Sequence, residues 1–183
     1  ENVDYGHRHW SSMHWLYPGS MTPEHSEPGS KLHKAAQQTM NSKVSAGGGH
    51  TGWSAAWEGT LWARLGSADN AWGAISKVIN KYTTPRFMGL HPALKKLSCS
   101  TCFTEKTKVT ANNDGIYPDG RATPSRDKRQ MVTNDGSMFQ IDANFGVMST
   151  LQEMIIDTHI PGIITLLPSV PTAWSSANTI NFV

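Results

Sequence analysis

The sequence predicts a mainly α-helical fold followed by a short β region. Apolar residues recur at helical spacing in four segments between residues 30 and 159, and glycine-containing turns separate the first three segments. After Pro161 the pattern changes to short β-branched runs divided by Pro and Ser, which is typical of strands. Four helices of this kind do not enclose a core unaided, so we expect them to belong to a larger helical assembly.

The N-terminal part of the chain predicts a loop and then a first clear helix. Residues 1–29 mix Trp, His, Pro and Gly without a sustained period, apart from a short predicted helix over residues 11–16. Ser30 is a suitable N-cap for the helix that follows, because its hydroxyl can accept a backbone hydrogen bond. We expect this helix to end before the glycine run at residues 47–49.

The second helix is predicted from about Thr51 to Leu65, and the third follows Ser67 as its N-cap. The second helix has charge only at Glu58 and Arg64, which predicts an inner helix packed on most sides. Because the loop between the two helices is short, we expect them to form an antiparallel pair.

The rest of the chain predicts a long loop, a fourth helix and strands. Residues 82–137 are rich in Pro, Gly, Asn, Asp, Lys and Thr, and a loop this long is functional, disordered or inserted. The fourth helix is predicted from about Asn144 to His159, and strands are predicted at residues 162–168 and 178–183. This divides the chain into a helical part, residues 1–160, and the start of a β region, residues 161–183.

The composition excludes several functions. The net charge is +2, and the modest basic face lacks the dense stripe or the module that nucleic-acid binding requires. No apolar run approaches the roughly 20 residues of a membrane span. Cys99 and Cys102 form a lone pair without the further ligands of a zinc site, which favours two thiols or one short disulfide. We therefore expect no nucleic acid, membrane, metal or cofactor.

Asp142 is the first candidate for a catalytic residue. It lies in the string Met138–Gly146, just before the fourth predicted helix, where backbone N–H groups and the helix dipole favour an ionised carboxylate. An ionised carboxylate is what a general base requires. Taken alone, however, the position favours capping, because Asp is a common N-cap residue.

His7, His9 and Trp53 are candidates for binding a sugar. His7 and His9 alternate in an extended segment, so both imidazoles point the same way and can hydrogen-bond a polyhydroxylated ligand. Structural histidines are the main alternative, and a metal site lacks a third ligand at defined spacing. Trp53 lies in the first turn of a helix, beside the glycine run, whereas Trp57 suits the core.

Four strings in order carry a resemblance to a known family: HRHWSSMHWLYPG, GHTGWSAAWEGTLWARLG, MFQIDANFG and LLPSVPTAW. The chain resembles glycoside hydrolase family 95, the inverting α-L-fucosidases. The resemblance implies that residues 1–160 are part of an (α/α)6 barrel, with a long loop at about 82–137, and that residues 161–183 begin a C-terminal β region.

The resemblance also implies roles for individual residues. Asp142 matches the Asp that supports two Asn side chains, which in turn activate the attacking water, while a Glu much earlier in the family's chain protonates the leaving oxygen. That Glu and the Asn pair are expected in segments preceding Glu1. Glu58 is a possible acid by type, but we expect it to pair with Arg64 or a backbone group. The chain is therefore interpreted as a fragment that is inactive alone.

The implied substrate is a fucosylated oligosaccharide or glycan, from which terminal α-1,2-linked L-fucose is released by a secreted or extracellular enzyme without a cofactor. The chain departs from the family pattern at Ser11-Ser12-Met13 and at Ala55, so residues near the pocket differ. Two alternatives stay open: an α-L-galactosidase of the same family, and a carbohydrate-binding or structural helical domain without turnover.

Overall fold

A computed structural model describes residues 5–20, 28–84, 86–91 and 138–175. The helices are α1 (Lys31–Ser45), α2 (Gly52–Arg64), α3 (Ala68–Lys81), α4 (Ile141–Ile155) and the short α5 (Thr172–Ser175). The strands are β1 (Leu90–His91), β2 (Met138–Phe139), β3 (Ile156–Asp157) and β4 (Thr165–Leu166). The fold is mainly helical, as the sequence predicts. Within the described ranges, none of the helices combines the length and the apolarity needed to cross a lipid bilayer.

The start of α1 is set by its predicted cap. The Ser30 hydroxyl accepts a hydrogen bond from the His33 amide at 3.1 Å, and the helix ends before Gly47, which has a φ of +95°. The earlier helix, predicted over residues 11–16, is shorter than expected and is a single 3-10 turn at Ser11–Met13.

Helix α2 occupies the centre of the molecule. It makes its most extensive contacts with α3 and α4, and its charged residue Glu58 is buried, which confirms the prediction of an inner helix. Small residues allow α2 and α4 to approach closely: a Cβ at Gly146 would lie 2.6 Å from the Ala56 Cβ. The Thr150 hydroxyl, on α4, lies 3.0 Å from the Ala56 carbonyl and 2.9 Å from the Thr60 hydroxyl.

The predicted bounds of α4 were wrong at both ends. The helix begins at Ile141 rather than Asn144, because Gln140 is extended (φ −137°, ψ 101°) and the helix starts directly after β2. It ends at Ile155 rather than His159, because β3 starts at Ile156 and pairs antiparallel with β4. Part of the predicted strand at residues 162–168 is β4, whereas residues 178–183 lie outside the described residues.

The two ends of the long predicted loop come together. Strands β1 and β2 pair antiparallel, with Leu90 opposite Phe139 and His91 opposite Met138. The Gln140 amide also donates to the Gly89 carbonyl at 2.8 Å. The intervening residues 92–137, which include Cys99 and Cys102, lie outside the described residues.

The main core joins the N-terminal segment to α1, α2 and α3. Its buried residues include Trp10, Met40, Leu61, Trp62 and Ile75. A second cluster, around Ala55, Ala56, Val78, Tyr82 and Ala143, joins α2, α3 and the start of α4. The second cluster holds the beginnings of α2 and α4 beside one another.

Candidate functional site

The segment that carries His7 and His9 is anchored on the first turn of α2. The Ser54 hydroxyl donates a hydrogen bond to the Arg8 carbonyl, and the Trp10 indole donates to the Ser54 carbonyl at 2.8 Å. The rings of His7 and His9 are exposed, and their centroids lie 4.6 Å apart. Both imidazoles are therefore available to a ligand at the N-terminal end of α2.

Trp53 extends the two histidines into a continuous strip of rings. Its centroid lies 5.1 Å from that of His9, in an edge-to-face arrangement, and 6.1 Å from that of Trp57. Trp57 packs against the core but is only half-buried, and its indole donates to the Tyr17 carbonyl at 3.0 Å. Trp57 was expected to be a core residue, and the structure shows that it packs against the core but stays partly exposed. We call His7, His9, Trp53 and Trp57 the ring strip.

Asp142 lies in the first turn of α4 and is exposed. It is the second residue of the helix, and the N-cap position belongs to Gln140, so the structure does not support capping by Asp142. Its carboxylate makes no hydrogen bond or ion pair with any residue in the described ranges. The ring strip brings together the other three predicted site residues, His7, His9 and Trp53.

The beginnings of α2 and α4 nevertheless lie side by side. A Cβ at Gly52 would lie 3.0 Å from the Ala143 Cβ and 2.7 Å from the Leu90 carbonyl oxygen. Gly52 precedes Trp53, and Ala143 follows Asp142. Asp142 and Trp53 therefore start two adjacent helices at the same end of the molecule.

Three further polar residues surround this junction and were not predicted from the sequence. The Thr51 Oγ1, His91 Nδ1 and Gln140 Oε1 atoms are buried and have no hydrogen-bond partner among the described residues. Buried polar atoms are usually satisfied, and those that are not often mark a place where a ligand or water binds. His91 was missed because only the pairing of β1 with β2, on either side of residues 92–137, brings it opposite Met138 and so close to the start of α4.

The electrostatics of the junction favour neutral imidazoles. Burial and the nearby charge of Arg8 lower the pKa of His9, with smaller effects from His7 and Lys43. Burial and Arg8 also lower the pKa of His91. A neutral imidazole has one donor and one acceptor nitrogen, so it can both donate to and accept from a hydroxyl group.

Glu58 has a different partner from the one expected. Its carboxylate accepts a hydrogen bond from the Lys77 ammonium at 3.0 Å, whereas Arg64 pairs with Glu153 across α2 and α4. The predicted pairing of Glu58 with Arg64 was therefore wrong. The pKa of Glu58 is raised by burial, which outweighs the opposing effect of Lys77.

Glu58 also lies beneath the glycine run. A Cβ at Gly49, where φ is +71°, would lie 2.1 Å from the Glu58 Oε2 atom. Burial, with a smaller contribution from Glu58, raises the pKa of the nearby Tyr82 to about 12. This environment suits a structural carboxylate that supports the loop before α2.

No group of three or more His, Cys, Asp or Glu side chains is arranged to hold a metal ion within the described part of the chain. Around the starts of α2 and α4, the described residues offer aromatic and imidazole rings, unsatisfied hydrogen-bonding atoms and the exposed carboxylate of Asp142. This combination suits a polar ligand with flat apolar faces and several hydroxyl groups, such as a sugar.

Comparison with known proteins places the chain in a family. The model of the glycosyl hydrolase family 95 catalytic domain matches residues 1–155, from the N-terminal segment to the end of α4. Alpha-L-fucosidase 2 of Arabidopsis thaliana is 26% identical over 171 residues, which cover 93% of this chain. The chain spans only 16% of the length of that relative.

Proposed function

We propose, starting from the fact that this chain belongs to glycosyl hydrolase family 95, that it is part of an enzyme that removes terminal α-1,2-linked L-fucose from glycans with inversion. The observation that carries the proposal is the family match over residues 1–155, because this range contains both the ring strip and Asp142. The relative named above as an alpha-L-fucosidase supports the choice of sugar.

The ring strip is proposed to bind the terminal sugar. Aromatic rings pack against the apolar faces of sugar rings, and Trp53 presents a half-buried indole between His9 and Trp57. The neutral imidazole of His9 would both donate to and accept from hydroxyl groups, whereas His7 would use its Nε2 atom, because its Nδ1 already accepts a hydrogen bond from the His9 amide.

Asp142 is proposed as the carboxylate on the side of the attacking water. Inverting glycosidases hold an acid and a base about 6.5–9.5 Å apart, which leaves room for a water molecule. Glu58 is a poor candidate for the opposing acid, because it is buried, paired with Lys77 and in contact with Gly49. The acid is therefore proposed to come from another part of the catalytic domain, and the 183-residue chain is proposed to be inactive alone.

The substrate partner is proposed to be a fucosylated oligosaccharide or glycan, and the enzyme is proposed to be secreted or extracellular, where such glycans are exposed. No metal or other cofactor is needed for acid–base hydrolysis of this kind.

The test uses a polypeptide that contains these residues within a complete catalytic domain. It is incubated with a 2′-fucosylated oligosaccharide and, in parallel, with the matching α-L-galactoside, which carries an additional hydroxyl at C6. Proton NMR then identifies the released sugar and its first anomer. The proposal predicts release of L-fucose, first as the β-anomer.

Three other results would change the assignment. Preferential hydrolysis of the galactoside would identify an α-L-galactosidase. Fucose appearing first as the α-anomer would exclude inversion. Binding of the fucosylated sugar without any hydrolysis would identify a carbohydrate-binding domain that lacks turnover.

A further inference from the structure

The last turn of α1 places a fully buried lysine, Lys43, beside the segment that carries His7 and His9. Lys43 is 0% exposed, and its Nζ atom lies 5.5 Å from the centroid of the Trp10 ring. The backbone gives the same proximity: a Cβ at Gly48 would lie 2.8 Å from the Lys43 carbonyl oxygen and 3.5 Å from that of His7. The end of α1 is therefore packed against this segment.

Trp10 connects Lys43 to the start of α2. Its ring is fully buried and its indole donates to the Ser54 carbonyl at 2.8 Å, while the Ser54 hydroxyl donates to the Arg8 carbonyl. A cation that lies over an indole ring is attracted by the electrons of the ring face. The contact with Lys43 therefore helps to fix Trp10 and, through Ser54, the backbone at Arg8.

Packing alone does not explain a lysine at this position. Lysine is seldom fully buried, because desolvation of its ammonium group costs free energy. Methionine is an unbranched side chain of similar length that would fill the space without this cost. The charge is therefore the property of Lys43 that distinguishes it from a core residue.

His9 is the site residue that the charge of Lys43 reaches. Burial is the largest cause of the lowered pKa of His9, and the charges of Arg8, His7 and Lys43 lower it further. Arg8 and His7 belong to the same segment as His9, whereas Lys43 comes from α1. The neighbour of His9 on α2 is the Trp53 ring, which carries no charge. A neutral imidazole accepts a hydrogen bond as well as donating one, whereas an imidazolium only donates.

We propose that Lys43 is a positioning residue for the sugar site, which acts by holding Trp10 and the segment of His7 and His9 against α2 and by keeping a positive charge beside His9. The inference rests on the proposed function, because its effect on activity requires that the ring strip binds a sugar. Lys43 is buried and acts through these residues without touching the ligand. It keeps His9 able to accept a hydrogen bond from a sugar hydroxyl in mildly acidic solution.

The first test measures the protonation of His9 and does not depend on turnover. In a polypeptide with the complete catalytic domain, wild type is compared with Lys43→Met, Lys43→Arg and a matched control, Lys34→Met, which changes an exposed lysine on the same helix. Diethylpyrocarbonate reacts with neutral imidazoles, and peptide mass spectrometry follows its reaction with His9 as a function of pH. Lys43→Met should move the midpoint of this reaction to higher pH, because removal of a nearby positive charge favours the imidazolium. Lys43→Arg and Lys34→Met should keep the wild-type midpoint.

The second test measures hydrolysis of a 2′-fucosylated oligosaccharide by the same polypeptides. In mildly acidic solution Lys43→Met should raise KM about fivefold with little change in kcat, as expected for the loss of one hydrogen bond, and Lys43→Arg should restore the wild-type KM. The increase should be smaller in alkaline solution, where His9 is neutral in every variant. Trp10→Phe keeps a ring beside the ammonium but cannot donate to Ser54. It should raise KM by a similar factor at every pH and leave the His9 midpoint unchanged.

The inference is overturned if Lys43→Met leaves the His9 midpoint unchanged, if Lys43→Arg behaves like Lys43→Met, or if Trp10→Phe has the wild-type KM. An equal shift in Lys34→Met would also overturn it, because any lysine on α1 would then have the same effect. If circular dichroism shows that Lys43→Met does not fold, Lys43→Gln takes its place with the same expected midpoint. Failure of the fucosidase assignment would instead appear as absent hydrolysis by variants in which the His9 midpoint still moves.

Discussion

Gly49 lies directly against the Glu58 carboxylate, and its position leaves no room for a side chain. A Cβ there would lie 2.1 Å from Glu58 Oε2 and 3.2 Å from the Lys77 ammonium, and φ is +71°. Gly47 is the matched control, because its φ is +95° but no atom lies within 4 Å of an added Cβ. Both Gly→Ala changes carry a left-handed strain of about 1–2 kcal/mol. Only Gly49→Ala must also displace the ion pair.

We therefore expect Gly49→Ala to lower the free energy of unfolding clearly more than Gly47→Ala does. Urea denaturation of the two variants measures the difference. An equal loss of unfolding free energy in the two variants would show that the Glu58–Lys77 ion pair does not lie in close contact with Gly49.

The pH dependence of Glu58 follows from its raised pKa. Because burial raises this pKa above its ordinary value of 4.5, the folded state binds the proton more tightly than the unfolded state. The ionised carboxylate therefore costs stability above the folded-state pKa, and this cost disappears as the pH falls through that pKa towards 4.5. Glu58→Gln does not titrate. Its stability relative to wild type should be higher at pH 7 than at pH 4.5, as chemical denaturation at several pH values would measure.

The opposite trend, in which the stability of Glu58→Gln relative to wild type increases as the pH falls, would mean that the pairing with Lys77 outweighs burial.

The sequence could not predict the environment of Glu58. Glu58 and Arg64 are six residues apart in one helix, but their partners, Lys77 and Glu153, lie on two other helices, so only tertiary packing pairs them. The Ser30 cap was predictable because its hydrogen bond is local.

At the scale of elements, the contact between α2 and α4 depends on small residues. A Cβ at Gly146 would lie 2.6 Å from the Ala56 Cβ, whereas a Cβ at Gly73, on the exposed side of α3, would meet no atom within 4 Å. Overpacking a tight contact costs about 1–3 kcal/mol. In an open helical position, replacing Gly by Ala instead stabilises by roughly 0.5–1 kcal/mol.

The two substitutions should therefore have opposite effects on stability. We expect Gly146→Ala to lower the melting temperature and Gly73→Ala to raise it, as measured by thermal denaturation followed by circular dichroism. A Gly146→Ala variant as stable as Gly73→Ala would show that α2 and α4 are not in tight contact.

Helix periodicity predicted α1, α2, α3 and α4 because each has a regular apolar face. The start of α4 was misplaced because Gln140 to Ala143 have no local start signal: the helix follows β2 directly, and its N-cap makes no side-chain hydrogen bond. The pairing of β1 with β2 was equally invisible, since it joins residues on either side of positions 92–137.

At the scale of the whole molecule, we propose that the described fold contributes one side of a larger site. The ring strip and Asp142 lie at the same end of α2 and α4, and the outer side of α4 is apolar and exposed. Both features agree with a chain that spans 16% of its relative's length. The candidate residues His7, His9, Trp53 and Asp142 were recognisable in the sequence because they lie in short strings. Thr51, His91 and Gln140 required the tertiary structure.

The central claim is that Asp142 is the carboxylate that serves the attacking water. The most direct measurement is kcat for hydrolysis of a 2′-fucosylated oligosaccharide by a polypeptide with the complete catalytic domain, compared between wild type and Asp142→Asn. Because Asp142 is exposed and makes no hydrogen bond among the described residues, the substitution should lower the melting temperature only slightly, through loss of the interaction with the helix dipole. Loss of general base catalysis predicts a fall in kcat of about 10²–10⁴-fold. An Asp142→Asn enzyme with the wild-type kcat would contradict the account.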